Sequence, residues 1–167
     1  GNLARSAYGF GAHFVFTGNQ QRRIGKPDSD TAASRNHFPW YSFDSVQDMR
    51  LPDDCTLVGV ELTHDAVDLP SFRHPTRAAY VLGPEGGSLS PEMIARCAHV
   101  VKIPTSFCIN IAMAAAIVMY DRASTLHGFA ERPVMPGGPK EPKREHIHGK
   151  PIYIGGTRFD PMKERDD

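Results

Sequence analysis

The sequence predicts an α/β fold, a parallel sheet flanked by helices, and three observations indicate it. Short apolar runs at residues 56–62, 78–82 and 100–103 have the length and composition of buried parallel strands. The second run ends at Gly83-Pro84 and the third at Pro104, where a strand cannot continue. A helical pattern follows each of these two breaks, and strands that alternate with helices are typical of a parallel sheet.

The composition fits one ordinary domain with a sizeable core, because 40% of the 167 residues are hydrophobic. Lys plus Arg equals Asp plus Glu at 19 each, so net charge does not indicate a nucleic-acid binder. The longest apolar run, residues 111–120, is too short for a bilayer span, and the amino terminus lacks a secretion pattern. We therefore expect a cytoplasmic protein without membrane association.

The three cysteines and the histidines do not predict a disulfide framework or a metal site. Cys55, Cys97 and Cys108 are odd in number, widely spaced and close to apolar segments, which is typical of reduced thiols. His146 and His148 have no third ligand nearby in sequence, so we interpret them as solvated and expect no metal.

Residues 1–11 are predicted to form an amphipathic helix that ends at Gly11, since Leu3, Ala7 and Phe10 recur at helical spacing. This helix starts abruptly and without a cap, so we expect that a preceding strand is missing from the amino terminus. Further along, residues 40–43 are a predicted strand, residues 44–49 a helical turn, and residues 65–75 a turn-rich connection.

Residues 17–37 are predicted to form a basic loop and are the best candidate for contacts with RNA phosphates. Their candidate RNA-binding side chains are Arg22, Arg23, Lys26 and Arg35. The alternative is an ordinary solvated loop, which is the usual role of a run of charges. From residue 133 onward, six prolines and several glycines predict an irregular tail, in which residues 140–150 could add phosphate contacts.

The loops after the second and third strands are predicted to line one pocket, because ligands of open α/β sheets lie outside the carboxyl ends of the strands. In residues 83–90, Gly86 and Gly87 would let a ligand approach the backbone, and Ser90 is a candidate N-cap. The second loop, residues 104–110, leads into a helix that is apolar on every side, which predicts a buried helix. The alternative for the glycine loop is a tight turn without a ligand.

Three motifs together resemble the SpoU or TrmH branch of the SPOUT methyltransferases. NLARSAYGFGA at residues 2–12, YVLGPEGGSLS at 80–90 and IPTSFCINIAMAAAIVMYD at 103–121 match the three family motifs in order and spacing. The resemblance implies S-adenosylmethionine as cofactor and methylation of a ribose 2'-hydroxyl in tRNA or rRNA. It also implies a homodimer and a C-terminal deep trefoil knot. The methyltransferase domain would span residues 1–125, and the tail residues 126–167.

The resemblance also assigns site residues. It implies catalytic roles for Arg5, Glu85 and Asn110, with the arginine acting on the 2'-hydroxyl either as a base or by orienting it. It implies that the methyl donor contacts Leu82, Gly83, Pro84, Ile103, Cys108 and Ile109, largely through backbone groups. The sequence departs from the family pattern in three ways: an upstream asparagine is absent, Ser88 replaces a glycine, and Cys108 replaces a serine.

Three alternatives stay open at this point. A relative that methylates a uridine base shares the GPEGG turn, although the third motif argues against it. A catalytically silent RNA-binding scaffold or partner subunit would account for the departures, although retention of Arg5, Glu85 and Asn110 weighs against it. A plain phosphate-binding α/β module is the third alternative, and binding of S-adenosylmethionine would discriminate it.

Overall fold

The computed structural model describes residues 2–18, 36–127 and 129–138. The chain divides into two units, Gly1–Phe129 and Ala130–Asp167, and all regular elements described here belong to the first. In chain order they are α1 (Asn2–Gly9), β1 (Val15–Gly18), β2 (Trp40–Phe43), β3 (Thr56–Val60), β4 (Val67–Asp68), β5 (Ala78–Leu82), α2 (Pro91–Arg96), β6 (His99–Lys102) and α3 (Ile111–Leu126).

Four parallel strands form the larger sheet in the order β4-β6-β3-β5, and β1 pairs with β2 in a second, two-stranded parallel sheet. Strand β3 lies inside the larger sheet, where Val58 is paired with Tyr80 on one side and His99 on the other. The parallel α/β sheet predicted from the sequence is therefore confirmed. The predicted strands 40–43 and 78–82 have the bounds that the sequence indicated.

The two faces of the sheet are covered by different elements, as the two-residue period of a strand requires. Leu57 packs with Ala79 and with Met93 of α2 in one buried cluster. The next residue, Val58, points into another cluster that contains Val101 and Val118 of α3. Consequently α2 covers one face and α3 the other, and both helices lead from the carboxyl ends of strands β5 and β6.

Helix α1 packs against α3 through small side chains. Ala4 and Ala7 are buried together with Val15 and Phe38, and Met119 of α3 packs against this cluster. The helix ends at Gly9, and the chain turns away two residues later at Gly11, as predicted; the φ of 71° at Gly11 lies in the left-handed region that favours glycine.

A buried histidine joins α3 to the segment that enters β5. The His74 imidazole is 4% exposed; its Nδ1 lies 2.6 Å from the Tyr80 hydroxyl and its Nε2 lies 2.9 Å from Asp121 Oδ2. Because a carboxylate only accepts, Nε2 carries the proton towards Asp121. Arg122 adds hydrogen bonds to the carbonyl oxygens of residues 75 and 76 at 2.6 and 2.7 Å. This cluster fixes the second half of α3 against the start of β5.

One sequence-based prediction about packing is wrong. Helix α3 is not buried on every side: Met113, Ile117 and Tyr120 are 60%, 38% and 57% exposed. The connection at residues 65–75 has no long helix, as predicted; it contains a 3-10 turn at Leu69–Ser71 and also the two-residue strand β4, which pairs with β6. The predicted trefoil knot and the domain boundary at residue 125 stay predictions. Most of the basic loop, residues 19–35, and the tail segment 140–150 lie outside the described residues.

Candidate functional site

The carboxyl ends of three neighbouring strands open into one cavity of about 390 Å³. Strands β3, β5 and β6 are adjacent and parallel, so the segments that follow them meet at the same edge of the sheet. The cavity lining has three parts. Residues 60–62 lie at the end of β3, and residues 82–88 lie at the end of β5 and in the loop that follows it. The third part runs from the end of β6 into α3 and consists of residues 102, 103, 105, 108, 109, 111 and 114. The single pocket that the sequence predicted for the two loops is present.

All six positions predicted to contact a methyl donor line this cavity. They come from two segments of the chain and are Leu82, Gly83, Pro84, Ile103, Cys108 and Ile109. Leu82, Ile103 and Ile109 supply apolar surface, while the nearby Gly83, Gly86 and Gly87 have no side chains that would cover their backbone groups. A mostly apolar cleft with a few polar groups is the usual form of a small-molecule site. The role of these residues in binding stays a prediction.

The loop at residues 83–89, which we name the glycine loop, is shaped by two glycines with different functions. Gly86 has a φ of 80°, a backbone conformation that residues other than glycine rarely adopt. At Gly83, an added Cβ would lie 3.1 Å from Leu89 N and 3.2 Å from the carbonyl carbon of Ser88. The two ends of the loop therefore approach each other closely at Gly83.

Asn110 fixes the position of Glu85 at the entrance to α3. Its Oδ1 accepts from the backbone N–H of Ala112 at 2.9 Å and of Met113 at 3.4 Å, so it caps the helix. These bonds turn the Nδ2 group towards Glu85, and it donates to Oε1 at 2.9 Å. Two residues predicted to be catalytic are thus in direct contact, and this contact brings the Glu85 carboxylate close to the amino terminus of α3, where negative charge is favoured.

Arg5, the third predicted catalytic residue, lies elsewhere. It is exposed on α1, the helix that packs against α3. Arg5 does not belong to the residues that line the cavity in the described part of the chain. The predicted RNA-binding residues Arg22, Arg23, Lys26 and Arg35 lie outside the described part of the chain.

Glu61 and Lys102 line the cavity but were not predicted as site residues. Glu61 accepts two backbone hydrogen bonds, from Leu62 N at 2.9 Å through Oε1 and from Leu89 N at 2.7 Å through Oε2. Its position directly after β3, at the same edge as the two loops, was the available signal. Lys102 is the last residue of β6 and brings a positive charge to the cavity.

Cys97 has no environment for nucleophilic chemistry. Burial raises the pKa of its thiol to about 11, and its Sγ donates to the carbonyl oxygen of Met93 at 3.2 Å. Within the described residues, no three His, Cys, Asp or Glu side chains are grouped in a way that could hold a metal ion. In the same part of the chain, no helix has the length and apolar character needed to span a membrane.

Known structures with the same fold include several RNA-modifying enzymes. The SpoU methyltransferase AviRb from Streptomyces viridochromogenes, solved in complex with AdoMet, is 22% identical and has a TM-score of 0.66 over 74% of this chain and 54% of its own. An rRNA methyltransferase from Sinorhizobium meliloti is 18% identical, with a TM-score of 0.63 over 75% and 50%. The TrmH/SpoU tRNA modifying enzyme of A. aeolicus is 15% identical, with a TM-score of 0.60 over 75% and 68%.

These structural similarities show the fold. A match between the sequence and a family model shows the family. The chain spans about half the length of the Streptomyces and Sinorhizobium proteins, 54% and 50%. Comparison with curated proteins gave no significant match. The model of the SpoU rRNA Methylase family matches residues 1–120, which include the first two sequence motifs and all but the last residue of the third. Since that match covers well over half of the sequence, the chain belongs to the SpoU rRNA Methylase family.

Proposed function

We propose that the chain is an S-adenosylmethionine-dependent methyltransferase that modifies a ribose 2'-hydroxyl of tRNA or rRNA. The observation that carries this proposal is the convergence of all six predicted donor positions on one cavity of about 390 Å³. A volume of this size lies within the range of about 300–1,000 Å³ that is usual for small-molecule sites. Membership of the SpoU family and the AdoMet complex of AviRb support the same assignment.

The cavity has the groups that such a donor requires. Leu82, Ile103 and Ile109 offer apolar surface for an adenine ring, and the glycine loop offers backbone N–H and C=O groups for its polar atoms. Bound S-adenosylmethionine supplies a methyl group on a sulfonium, which is open to in-line attack by an oxygen. The residues of this chain therefore have to align the donor and the acceptor hydroxyl and to assist removal of a proton.

Glu85 and Asn110 are suited to the acceptor side of this reaction. The Asn110 amide holds one oxygen of Glu85 at 2.9 Å, and the cap bonds of Asn110 keep that amide from turning. The carboxylate is thus oriented before a substrate arrives, which lowers the cost of forming a reactive arrangement. Arg5 would orient the ribose hydroxyl or bind the adjacent phosphate, because a guanidinium forms paired hydrogen bonds with phosphate oxygens.

Arg5 supports turnover more than donor binding in this mechanism. An Arg5→Ala variant should bind S-adenosylmethionine almost as well as the parent protein and lose about a hundredfold or more in turnover. Arg77→Ala is a matched control, because that arginine is also exposed but lies outside all three family motifs. Mass spectrometry after nuclease digestion locates the methyl group. A methylated base would contradict the assigned reaction. A fully active Arg5→Ala variant would contradict the role assigned to Arg5.

The basic loop is proposed to hold RNA phosphates. Affinity for RNA should then fall steeply as salt rises, because each neutralised phosphate releases counterions. Replacing Arg22 and Arg23 together by glutamine should lower the slope of log affinity against log salt by about 1.4 to 1.8. A slope equal to that of the parent protein would show that the loop is only solvated.

A homodimer is part of the proposal, and α3 offers a surface for it. Met113, Ile117 and Tyr120 are separated by four and three residues, so they share one helical face, and all three are exposed. Sedimentation at micromolar concentration should give twice the chain mass of 18.4 kDa. A Tyr120→Glu variant should sediment as a monomer, since a buried unpaired carboxylate disfavours association. A parent protein that sediments as a monomer would count against this interface.

Binding of S-adenosylmethionine is the first experiment, and calorimetry on the purified chain is the direct measurement. A chain that binds the donor and methylates no RNA would favour the silent scaffold, for which Cys108 in the cavity wall is the specific observation. A chain that does not bind the donor would favour a plain phosphate-binding module. The cytoplasmic location expected from the sequence stays a prediction.

A further inference from the structure

Glu61 joins the ends of three strands at the edge where the cavity lies. Its backbone N–H donates to the carbonyl oxygen of Val101 in β6 at 3.0 Å. Its carboxylate accepts from Leu89 N, at the far end of the glycine loop that follows β5, at 2.7 Å. The residue itself directly follows β3. Its backbone is thus fixed by the sheet, while its side chain reaches a loop 28 residues away.

Both oxygens of this carboxylate are used by the protein. Oε1 accepts from Leu62 N at 2.9 Å and Oε2 from Leu89 N at 2.7 Å. Two backbone donors on one carboxylate are charge-assisted hydrogen bonds, which are stronger than bonds between neutral groups. The short distance to Leu89 is typical of such a bond, so the return end of the glycine loop has a firm anchor.

This anchor depends on the absence of a side chain at Gly83. A Cβ at that position would lie 3.3 Å from Glu61 Oε2 and 3.1 Å from Leu89 N, which are the acceptor and the donor of the bond. The hydrogen bond therefore passes directly over Gly83. Leu89 is held a second time, because its side chain packs against the buried cluster that contains Leu57 and Met93. The following residue, Ser90, caps α2.

We propose that Glu61 is a positioning residue for the methyl donor: it anchors Leu89 and thereby sets the shape of the glycine loop that forms one wall of the cavity. This inference rests on the proposed function, since it concerns the same cavity. Glu61 acts through the loop backbone. Removal of the Glu61 carboxylate lets the loop relax. The affinity of every ligand that contacts that wall should then fall, whatever the charge of the ligand.

The experiment compares Glu61→Gln and Glu61→Ala with the parent protein in calorimetric titrations. Gln keeps one acceptor oxygen and Ala keeps neither, so donor affinity should fall by about threefold in Glu61→Gln and about tenfold or more in Glu61→Ala. Glu92→Gln is the matched control, because it also removes one negative charge from an exposed residue near the loop. Its affinity should equal that of the parent.

A second titration separates positioning from charge. S-adenosylmethionine and its demethylated product share the adenosine and amino-acid parts but differ by the sulfonium charge. Loop positioning predicts that both lose the same factor in the Glu61 variants. A loss for the cationic donor alone would overturn the proposal, because it would assign Glu61 an electrostatic role. A thermal midpoint that falls while affinity stays unchanged would also overturn it, because Glu61 would then act only on stability.

Hydrogen exchange of the Leu89 amide tests the anchor without any ligand. In Glu61→Ala this amide should exchange at least tenfold faster than in the parent, while buried amides of β3 keep their rates. A parent protein that binds the donor, with unchanged affinity in both Glu61 variants, would refute the inference and leave the proposed function intact. A parent protein that fails to bind the donor would refute the proposed function, while faster Leu89 exchange would still establish the anchor.

Discussion

Gly83→Ala is the substitution whose effect on donor binding the structure defines best. The added methyl group would meet Leu89 N at 3.1 Å, the carbonyl carbon of Ser88 at 3.2 Å and Glu61 Oε2 at 3.3 Å. Two of these three atoms belong to the backbone, so they cannot rotate away and the loop itself has to shift by a few tenths of an ångström. The cavity wall therefore moves with the substitution.

The expected loss follows from the cost of overpacking, which is about 1–3 kcal/mol for a methyl group forced into a packed site. If the loop shifts to accept the methyl group, restoring the binding geometry costs a similar free energy. Affinity for S-adenosylmethionine should then fall by about 5- to 150-fold. Gly83→Val, which adds two further carbons, should lose at least as much.

Backbone strain does not contribute to this prediction. The described glycines with positive φ are Gly11, Gly86 and Gly137, so alanine can adopt the backbone conformation of Gly83. Calorimetry on a folded variant is the assay, and Gly9→Ala is the matched control because nothing lies within 4 Å of its added Cβ. If Gly83→Ala is folded and binds the donor as tightly as Gly9→Ala does, the glycine loop does not form the donor site.

Three further predictions concern the site and its support. Asn110→Asp keeps the helix cap but replaces the donor to Glu85 by a second carboxylate, so thermal stability should stay near that of the parent while turnover falls about tenfold or more. Tyr80→Phe removes the hydroxyl that is hydrogen-bonded to the buried His74 ring, and denaturant titration should show a loss of about 1–3 kcal/mol. Burial raises the pKa of the Cys97 thiol from 9.0 to about 11, so the folded state favours the protonated thiol. The contribution of this thiol to the free energy of unfolding should be complete below pH 9.0 and lost as the pH rises through about 11. Unfolding measurements across that pH range would detect the loss.

Much of the fold could be predicted because the signals are local. Strand β5 is a five-residue apolar run that a glycine-proline pair terminates, and its predicted bounds are those of the structure. Ser90 was predicted as an N-cap, and its hydroxyl indeed accepts from Met93 N at 3.2 Å at the start of α2. Caps and breakers act within a few residues, so sequence alone carries them.

The features that the sequence did not reveal depend on contacts between distant segments. Strand β4 is two exposed residues long, and it is a strand only because β6 lies beside it. The composition of α3 shows that the helix is apolar but not which face a neighbour covers. The position of Glu61 directly after β3 indicated the edge of the sheet where it lies, but its bond to Leu89 joins segments 28 residues apart and has no local pattern.

Strand β5 is linked to α3 at both of its ends, which connects the helix surface to the glycine loop. Just before the strand, Arg122 of α3 donates to the carbonyl oxygens of residues 75 and 76, and the ring of His74 joins Asp121 of α3 to Tyr80 in the middle of the strand. Beyond its end, Asn110 at the entrance to α3 holds Glu85. Two separated links prevent the helix from tilting without moving the strand or its loop. A partner that packs on the exposed face of α3 would therefore stabilise the cavity wall, so donor affinity and self-association should strengthen each other.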